Sequence, residues 1–315
     1  MKLVVALGGN AIDRPESRGE YQEQVENVRS ACRGIVEIVK AGHRVVVTHG
    51  NGPQVGNLAI QQELGSAEVP VQPLHVLGAM TQGQIGYLIQ RELSNILTES
   101  SVRRRVVSVV TQTLVRPDDP AFKNPSKPIG PFYDRETALR LEKERGYTIR
   151  RVRTGSDKGY RRVVPSPDPL RIVEEEIVAA LVETGAIVVA SGGGGIPVVL
   201  DKGGRLVGVD AVIDKDLAAE RLAEAVGAER LLILTNVERV MLNYGKRGEM
   251  ALDSLTLKEA KRHLEEGQFP PGSMGPKVLA CVRFVEWGGK EAAIGPLERA
   301  GDVLSGKAGT RILTE

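Results

Sequence analysis

The chain is poor in the side chains that build metal centres and disulfide frameworks. Two cysteines and four histidines are spread over 315 residues. Cys32 and Cys281 lie far apart, without CxxC spacing or a histidine-rich partner segment, which argues against a zinc site or a disulfide framework and fits a reducing compartment. His43, His49, His75 and His263 share no metal-ligand spacing, and no GxSxG accompanies them. Long apolar runs are also missing. The opening MKLVVALGGN reaches glycine after a few apolar residues, too soon for a signal peptide, and no later run approaches the ~20 residues of a membrane span. A cytoplasmic protein with no membrane partner is the expectation. Neither sign of charge dominates. Lys and Arg number 42 against 40 for Asp and Glu, a net charge of +2, so nothing global points to nucleic acid. The basic stretch Arg150, Arg151, Arg153, Lys158, Arg161 and Arg162 reads as a solvated face or as a rim that attracts anionic substrates. The sequence contains no GxxxxGK[ST], and no GxGxxG opens a Rossmann unit.

Glycine, by contrast, is abundant. There are 36 in the chain, above the roughly 7% of an average protein, and much of the excess sits where apolar runs end. Leu3–Leu7 and Arg44–Thr48 read as strands buried on both faces. Between them Val25, Val28, Cys32, Ile35, Val36 and Val39 recur at helical spacing, with Gly42 placed for a left-handed C-cap. A longer helix is expected from about Val76 to Leu97 and a strand over Val106–Val115. The rhythm then breaks, because Pro117, Pro120, Pro125, Pro128 and Pro131 suit neither helix nor interior strand. A short helix capped by Asp134 and a hairpin, Tyr147–Arg153 with Tyr160–Val164, follow. Residues 117–165 therefore read as a small subdomain inserted in a single domain spanning 1–315. Beyond it, helices are expected over Leu170–Glu183, from Asp214, over Leu257–Glu266 and from GSMGPK to Trp287, with strands between. Alternation of this kind predicts an α/β fold, an open αβα sandwich on a mostly parallel sheet, with ligands at the carboxyl ends of its strands.

Three glycine clusters close three of these strands: Gly8-Gly9-Asn10, Gly50-Asn51-Gly52 and Gly192 to Gly195. Glycine lets the backbone turn sharply and present N–H groups to a ligand, and such groups at strand ends and helix starts cradle phosphate or carboxylate. Lys215 lies between Asp214 and Asp216 at a helix start, where the helix dipole disfavours a cation. It indicates a nearby anion or, alternatively, a surface ion-pair cluster. Lys277 sits at another helix start, and Lys127 in NPSKPIGPFYD is an ordinary loop lysine between prolines. His49 suits a positioning role, and no base is identifiable for Ser191 or Ser273. Anion cradles with lysines suit phosphoryl transfer, where catalysis is largely positioning and charge neutralisation.

The segments ALGGNA, THGNGPQVG, GAMTQGQIGY, TQT, DPAFKNPSKPIGPFY, RRVVPSPDP, ASGGGGIPV, AVIDKDLA and GSMGPKV occur in the order seen in carbamate kinases, including the archaeal carbamate kinase-like carbamoyl-phosphate synthetases. The resemblance runs from Val4 to about Thr310. It implies an amino-acid kinase fold, a homodimer, a place in arginine metabolism, and reversible transfer between MgATP and carbamate without a phospho-enzyme. By resemblance, Gly8, Gly9, Asn10, Gly50, Asn51, Gly52, Gly193 and Gly194 hold carbamate or carbamoyl phosphate. Lys127, Lys215, Lys277 and Asp216 are the catalytic set, with Lys127 reaching in from the subdomain and Asp216 organising the lysines. Asp214, Lys215, Thr235, Tyr244, Met274, Gly275 and Lys277 bind ATP or ADP. The nucleotide is assigned to 186–315 and the small substrate to the N-terminal half. Mg2+ is held through the nucleotide phosphates, with no direct protein ligand. Asn236 stands where aspartate is common, and His75 replaces an aspartate before GAM, leaving both roles open. A sibling kinase with another acceptor (acetylglutamate, UMP or isopentenyl phosphate) and an inactive nucleotide-binding regulator are the alternatives.

Overall fold

A computed structural model describes residues 1–9, 12, 19–153 and 155–315. The strand Lys2–Leu7 runs through the middle of the molecule, parallel to Arg44–His49 on one side and Arg230–Thr235 on the other, with Val5 opposite both Val47 and Leu232. Across the full eight-stranded sheet the order is Ser254–Thr256, Thr310–Leu313, Glu291–Pro296, Arg230–Thr235, Lys2–Leu7, Arg44–His49, Ile187–Val189, Val106–Ser108. Every neighbouring pair is parallel except Glu291–Pro296 with Thr310–Leu313.

The central strands read as unbroken apolar runs because both of their faces are covered. Leu3, Val5 and Leu7 enter one cluster with Val28 and Ile35 of the helix Tyr21–Lys40 and Ile85 and Leu93 of the helix Leu74–Glu99. The alternate residues Val4 and Ala6 enter a second cluster with Ala219 and Leu222 of the helix Lys215–Ala225 and Val278 of the helix Met274–Trp287. Burying side chains on both faces fixes the register, since a slip of one residue would exchange the two clusters. The helix Tyr21–Lys40 is capped at Ala41, and Gly42, the next residue, has the left-handed φ of 85° expected just past a helix end. Cys32 and Cys281 are both buried and unpaired. No helix among the described residues is long and apolar enough to cross a membrane.

Two local expectations change. Val106–Val115 is not one strand: Val106–Ser108 ends the central sheet, while Gln112–Val115 joins a second sheet beside Ile196–Leu200 and Pro169–Ile172. At Thr111, between the two strands, the Gln82 side chain accepts from Thr111 N at 2.9 Å and donates to Thr111 O at 3.0 Å, an oxygen that also accepts from Ile196 N at 2.9 Å. The helix expected from Leu170 begins only at Glu175. Pro169–Ile172 instead pairs antiparallel with Gln112–Val115, since a four-residue stretch after proline takes the partner the sheet offers over its weak helical preference. A further hairpin, Val240–Leu242 with Met250–Leu252, follows the strand Arg230–Thr235.

Within 117–165 the strands Lys127–Tyr133, Tyr160–Val164 and Ile149–Arg151 form a separate antiparallel sheet. The helix Arg135–Arg145 is capped by Asp134, which accepts from Thr137 N at 2.7 Å, and it ends on Gly146 at φ 66°. This sheet meets the main body closely, because a Cβ on Gly56 of the helix Gly52–Gly65 would lie 2.6 Å from Gly130 Cα.

Candidate active site

The glycine clusters converge at the carboxyl edge of the central sheet. Gly8 N donates to Leu234 O at 2.7 Å and Gly50 N to Leu7 O at 3.2 Å, so the first two clusters are stitched side by side. A Cβ on Gly50 would lie 3.3 Å from Lys215 Cδ and 3.4 Å from Gly9 Cα, which places the Lys215 stem against both. At Gly9 and Gly52 a Cβ would meet nothing within 4 Å among the described residues. Asn10 lies outside the described residues.

The third cluster has a different rationale. Gly193, Gly194 and Gly195 have φ of 64°, 92° and 85°. Cβ atoms there would come within 2.2 Å of Asn51 Nδ2, 2.6 Å of Ile213 O and 2.0 Å of Thr113 Oγ1, and one on Gly192 would strike the His49 ring at 2.3 Å. Packing and backbone conformation alone therefore demand glycine at these positions. Gly193 and Gly194 back the site, touching Asn51 and the entry to the Lys215 helix.

His49 is buried, and its Nδ1 lies 2.9 Å from Gly50 O, which it reaches as an N–H donor. Burial brings its pKa down to about 4, with the Lys215 charge adding to the effect. A neutral, anchored imidazole holds the Gly50 turn in place.

The lysines, distant in sequence, come together on two aspartates. Lys127 Nζ donates to Asp214 Oδ2 at 2.7 Å, Lys277 Nζ donates to Asp216 Oδ2 at 2.7 Å, and Lys215 donates to Asp216 Oδ1. Asp214 also acts as the N-cap of the Lys215 helix, where its other oxygen accepts from Asp216 N at 3.0 Å. Asp216 is 2% exposed. Burial works to raise its pKa, but Lys215 and Lys277 outweigh that and hold it well below the ordinary carboxylate range. Burial lowers Lys215, and the Lys277 charge adds to this, against the pull of Asp216. Lys277 is opposed by burial too, yet Asp216 holds it above its usual value. Lys215 is thus the more easily deprotonated of the pair. With three lysines and two aspartates the cluster carries one surplus positive charge, and its ammonium groups are positioned for a larger anion.

Beside Lys277 lies a cavity of about 220 Å3 bordered by Thr235, Asn236, Met241, Tyr244 and Met274. It adjoins the first glycine cluster, since a Cβ on Gly8 would lie 3.4 Å from Thr235 Cα. Gly275 does not line it; its N–H donates to Pro270 O at 3.0 Å, where it shapes the turn before the helix. Tyr244 is 66% exposed at the rim. The Asn236 side chain accepts from Thr235 Oγ1 at 3.3 Å. His75 stands apart, its Nδ1 3.2 Å from Asp210. Among the described residues no group of three or more His, Cys, Asp or Glu could hold a metal ion.

Sequence reasoning missed the polar residues of the helix Leu74–Glu99. Thr81 receives Asn51 Nδ2 at 2.8 Å, and Gln82 clamps Thr111, whose hydroxyl in turn accepts from Ser191 N at 2.9 Å. Both side chains are buried, so this helix carries the second and third glycine clusters on adjacent residues. The signal was a Thr-Gln pair on an otherwise core-facing helix, which local pattern does not separate from a pair turned to solvent.

Residues 1–295 match the amino acid kinase family. The chain is similar to carbamate kinases from Pyrococcus furiosus, 52% identical over 314 residues covering 99% of each chain, and from Thermococcus kodakarensis, 53% identical over 317 residues covering 100% of this chain and 99% of the relative. A solved carbamate kinase from Giardia lamblia bound to AMP-PNP superposes with a TM-score of 0.91 at 42% identity, over 99% of this chain and 98% of that one.

Proposed function

Because the chain belongs to the amino acid kinase family, among the carbamate kinases, we propose that it catalyses ATP + carbamate ⇌ ADP + carbamoyl phosphate. The observation that carries this reading is the gathering of Lys127, Lys215 and Lys277 on Asp214 and Asp216, between a glycine cradle and a cavity. In the direction of ATP synthesis a β-phosphate oxygen of ADP attacks phosphorus. The P–O bond to the carbamoyl group breaks, and its electron pair leaves on the carbamate oxygen. Neither oxygen carries a proton, so direct in-line transfer needs no general base. This agrees with a site rich in fixed cations, whose one buried imidazole is neutral.

Gly8, Gly9, Asn10, Gly50, Asn51 and Gly52 hold the carbamoyl end, with Gly193 and Gly194 behind them. Lys215 and Lys277 neutralise the nucleotide phosphates and the moving phosphoryl group. Lys127 approaches from the inserted subdomain at 117–165, and Asp216 keeps two ammonium groups fixed. The base occupies the cavity between Thr235, Tyr244 and Met274. Both aspartates are engaged by lysines, which suits magnesium arriving on the phosphates; when bound, it neutralises phosphate charge. A homodimer is part of the same proposal.

The test is ATP formation from ADP and carbamoyl phosphate, followed in both directions by a coupled assay. Turnover with carbamate as the preferred acceptor is expected. Preference for acetylglutamate, UMP or isopentenyl phosphate, or nucleotide binding without turnover, overturns the reading.

A further inference from the structure

We propose that Thr81 sets the acceptor specificity of this site by fixing which end of the Asn51 amide faces the substrate; the inference rests on the carbamate kinase reading above. Asn51 is the N-cap residue of the helix Gly52–Gly65, and asparagine in that position ordinarily accepts a hydrogen bond from the first turn. Here its side chain makes no capping bond. The amide turns instead to the neighbouring helix, with Nδ2 2.8 Å from Thr81 Oγ1. A favourable local interaction is given up, a pattern found where a side chain serves another purpose.

The hydroxyl of Thr81 decides the orientation of that amide. It has one proton, and it donates that proton to Gly78 O at 2.7 Å. Only lone pairs remain towards Asn51, so the facing atom must be the donor Nδ2. Gly193 packs on the same amide, where a Cβ would lie 2.2 Å from Nδ2 and 2.7 Å from Oδ1. Asn51 is 6% exposed, yet its Oδ1 accepts no hydrogen bond among the described residues and is not sealed from solvent. A fixed acceptor with unclaimed lone pairs therefore stands beside the glycine turns, whereas the carboxylates of Asp214 and Asp216 are already taken up by the lysines.

The small substrate is recognised by the same chemistry. Carbamoyl phosphate carries an NH2 group where acetyl phosphate, of nearly the same shape, carries a methyl. An acceptor facing NH2 gains a hydrogen bond; facing a methyl it is left desolvated and unpaired, which is how polar sites reject an isostere. Thr81 touches no substrate and acts through Asn51, as a positioning residue.

The experiment compares kcat/KM for ATP formation from carbamoyl phosphate and from acetyl phosphate, with ADP, in the wild type and in Thr81→Val and Thr81→Ser. Valine keeps the shape but cannot accept, so the amide is free to turn. The carbamoyl-to-acetyl ratio is expected to fall about tenfold in Thr81→Val and to return to the wild-type range in Thr81→Ser. A fall of less than threefold, including an equal loss on both substrates, overturns the assignment. Should the valine variant fail to fold, Asn51→Ala removes the acceptor outright and must lower the same ratio by at least as much. Wild-type protein that forms no ATP from carbamoyl phosphate sinks both readings, whereas a wild type with normal discrimination that survives Thr81→Val sinks only this one.

Discussion

Replacing Asp216 by asparagine keeps the shape of the lysine cluster and removes one charge. Lys215 and Lys277 both donate to that carboxylate, which is 2% exposed. The surplus charge of the cluster rises from one to two, three lysines then facing Asp214 alone. A pair of unit charges at 4 Å in surroundings of effective dielectric ~20 interacts by ~4 kcal/mol, and stripping one partner from a buried ion pair costs about 3–5 kcal/mol. The variant should melt lower by on the order of 10 °C. Its pH dependence distinguishes this cause from a packing defect. Lys215 is already pressed below its ordinary value by burial, and without Asp216 it falls further. The unfolded chain then binds more protons than the folded one, so stability rises with pH from neutrality towards the unfolded lysine value near ~10.4. Activity moves the other way, since an uncharged Lys215 no longer neutralises phosphate. Thermal unfolding and kcat measured across that range should therefore show opposite slopes in the variant. A melting temperature within about 2 °C of wild type, with an unchanged pH–rate profile, would refute the idea that Asp216 holds the two ammonium charges in place.

Lys127→Ala should lower kcat by on the order of 10²–10³, the effect of losing one electrostatic donor. Its melting temperature should fall by less than that of the Asp216 variant, because the Lys127 side chain is 27% exposed and Asp214 keeps the Asp216 N–H; steady-state kinetics and calorimetry test the two halves of that statement. Gly9→Ala and Gly195→Ala should fail in different ways. At Gly9 the added methyl meets none of the described residues within 4 Å, so folding is kept while the KM for carbamoyl phosphate rises; at Gly195 it meets Thr113 Oγ1 at 2.0 Å with φ 85°, so stability drops by more than ~2 kcal/mol. Denaturant titrations beside kinetics separate them, and a destabilised Gly9→Ala would contradict the cradle role of Gly9. His49, with a folded value of about 4 against ~6.5 unfolded, contributes stability that is complete above the unfolded value and lost as pH falls from about 6.5 to 4. The loss over that window is ~3 kcal/mol at one unit per 1.36 kcal/mol, and a His49→Gln variant should show a flatter acid limb in denaturation midpoints.

The sequence carries the central strands plainly because two-sided burial writes them as unbroken apolar runs, and the glycine clusters mark where they end. Lys215 and Lys277 were visible as cations at helix starts, where local electrostatics disfavours them. Lys127 was not distinctive, since its partner Asp214 lies 87 residues further along and no short-range pattern registers the pair. The division of labour between Asp214, which caps a helix and holds Lys127, and Asp216, which holds the other two lysines, depends on side-chain directions that spacing leaves open. The third glycine cluster resembled the first two in composition, yet its residues are held there by His49, Asn51, Ile213 and Thr113, all remote in sequence. Residues 170–172 went to a sheet rather than a helix for the same reason, because the partner strand is supplied by the fold.

The strand Lys2–Leu7 has a consequence for how the chain assembles. It sits between Arg44–His49 and Arg230–Thr235, so the half assigned to the small substrate and the half assigned to the nucleotide share one backbone ladder. This strand is made well before the segment near residue 230 and must wait for it before its second edge is closed. Pairings that distant in sequence fold slowly and leave an apolar edge exposed meanwhile. The two halves are accordingly one cooperative unit, and neither can be transplanted, truncated or evolved as a module without the strand that belongs to both.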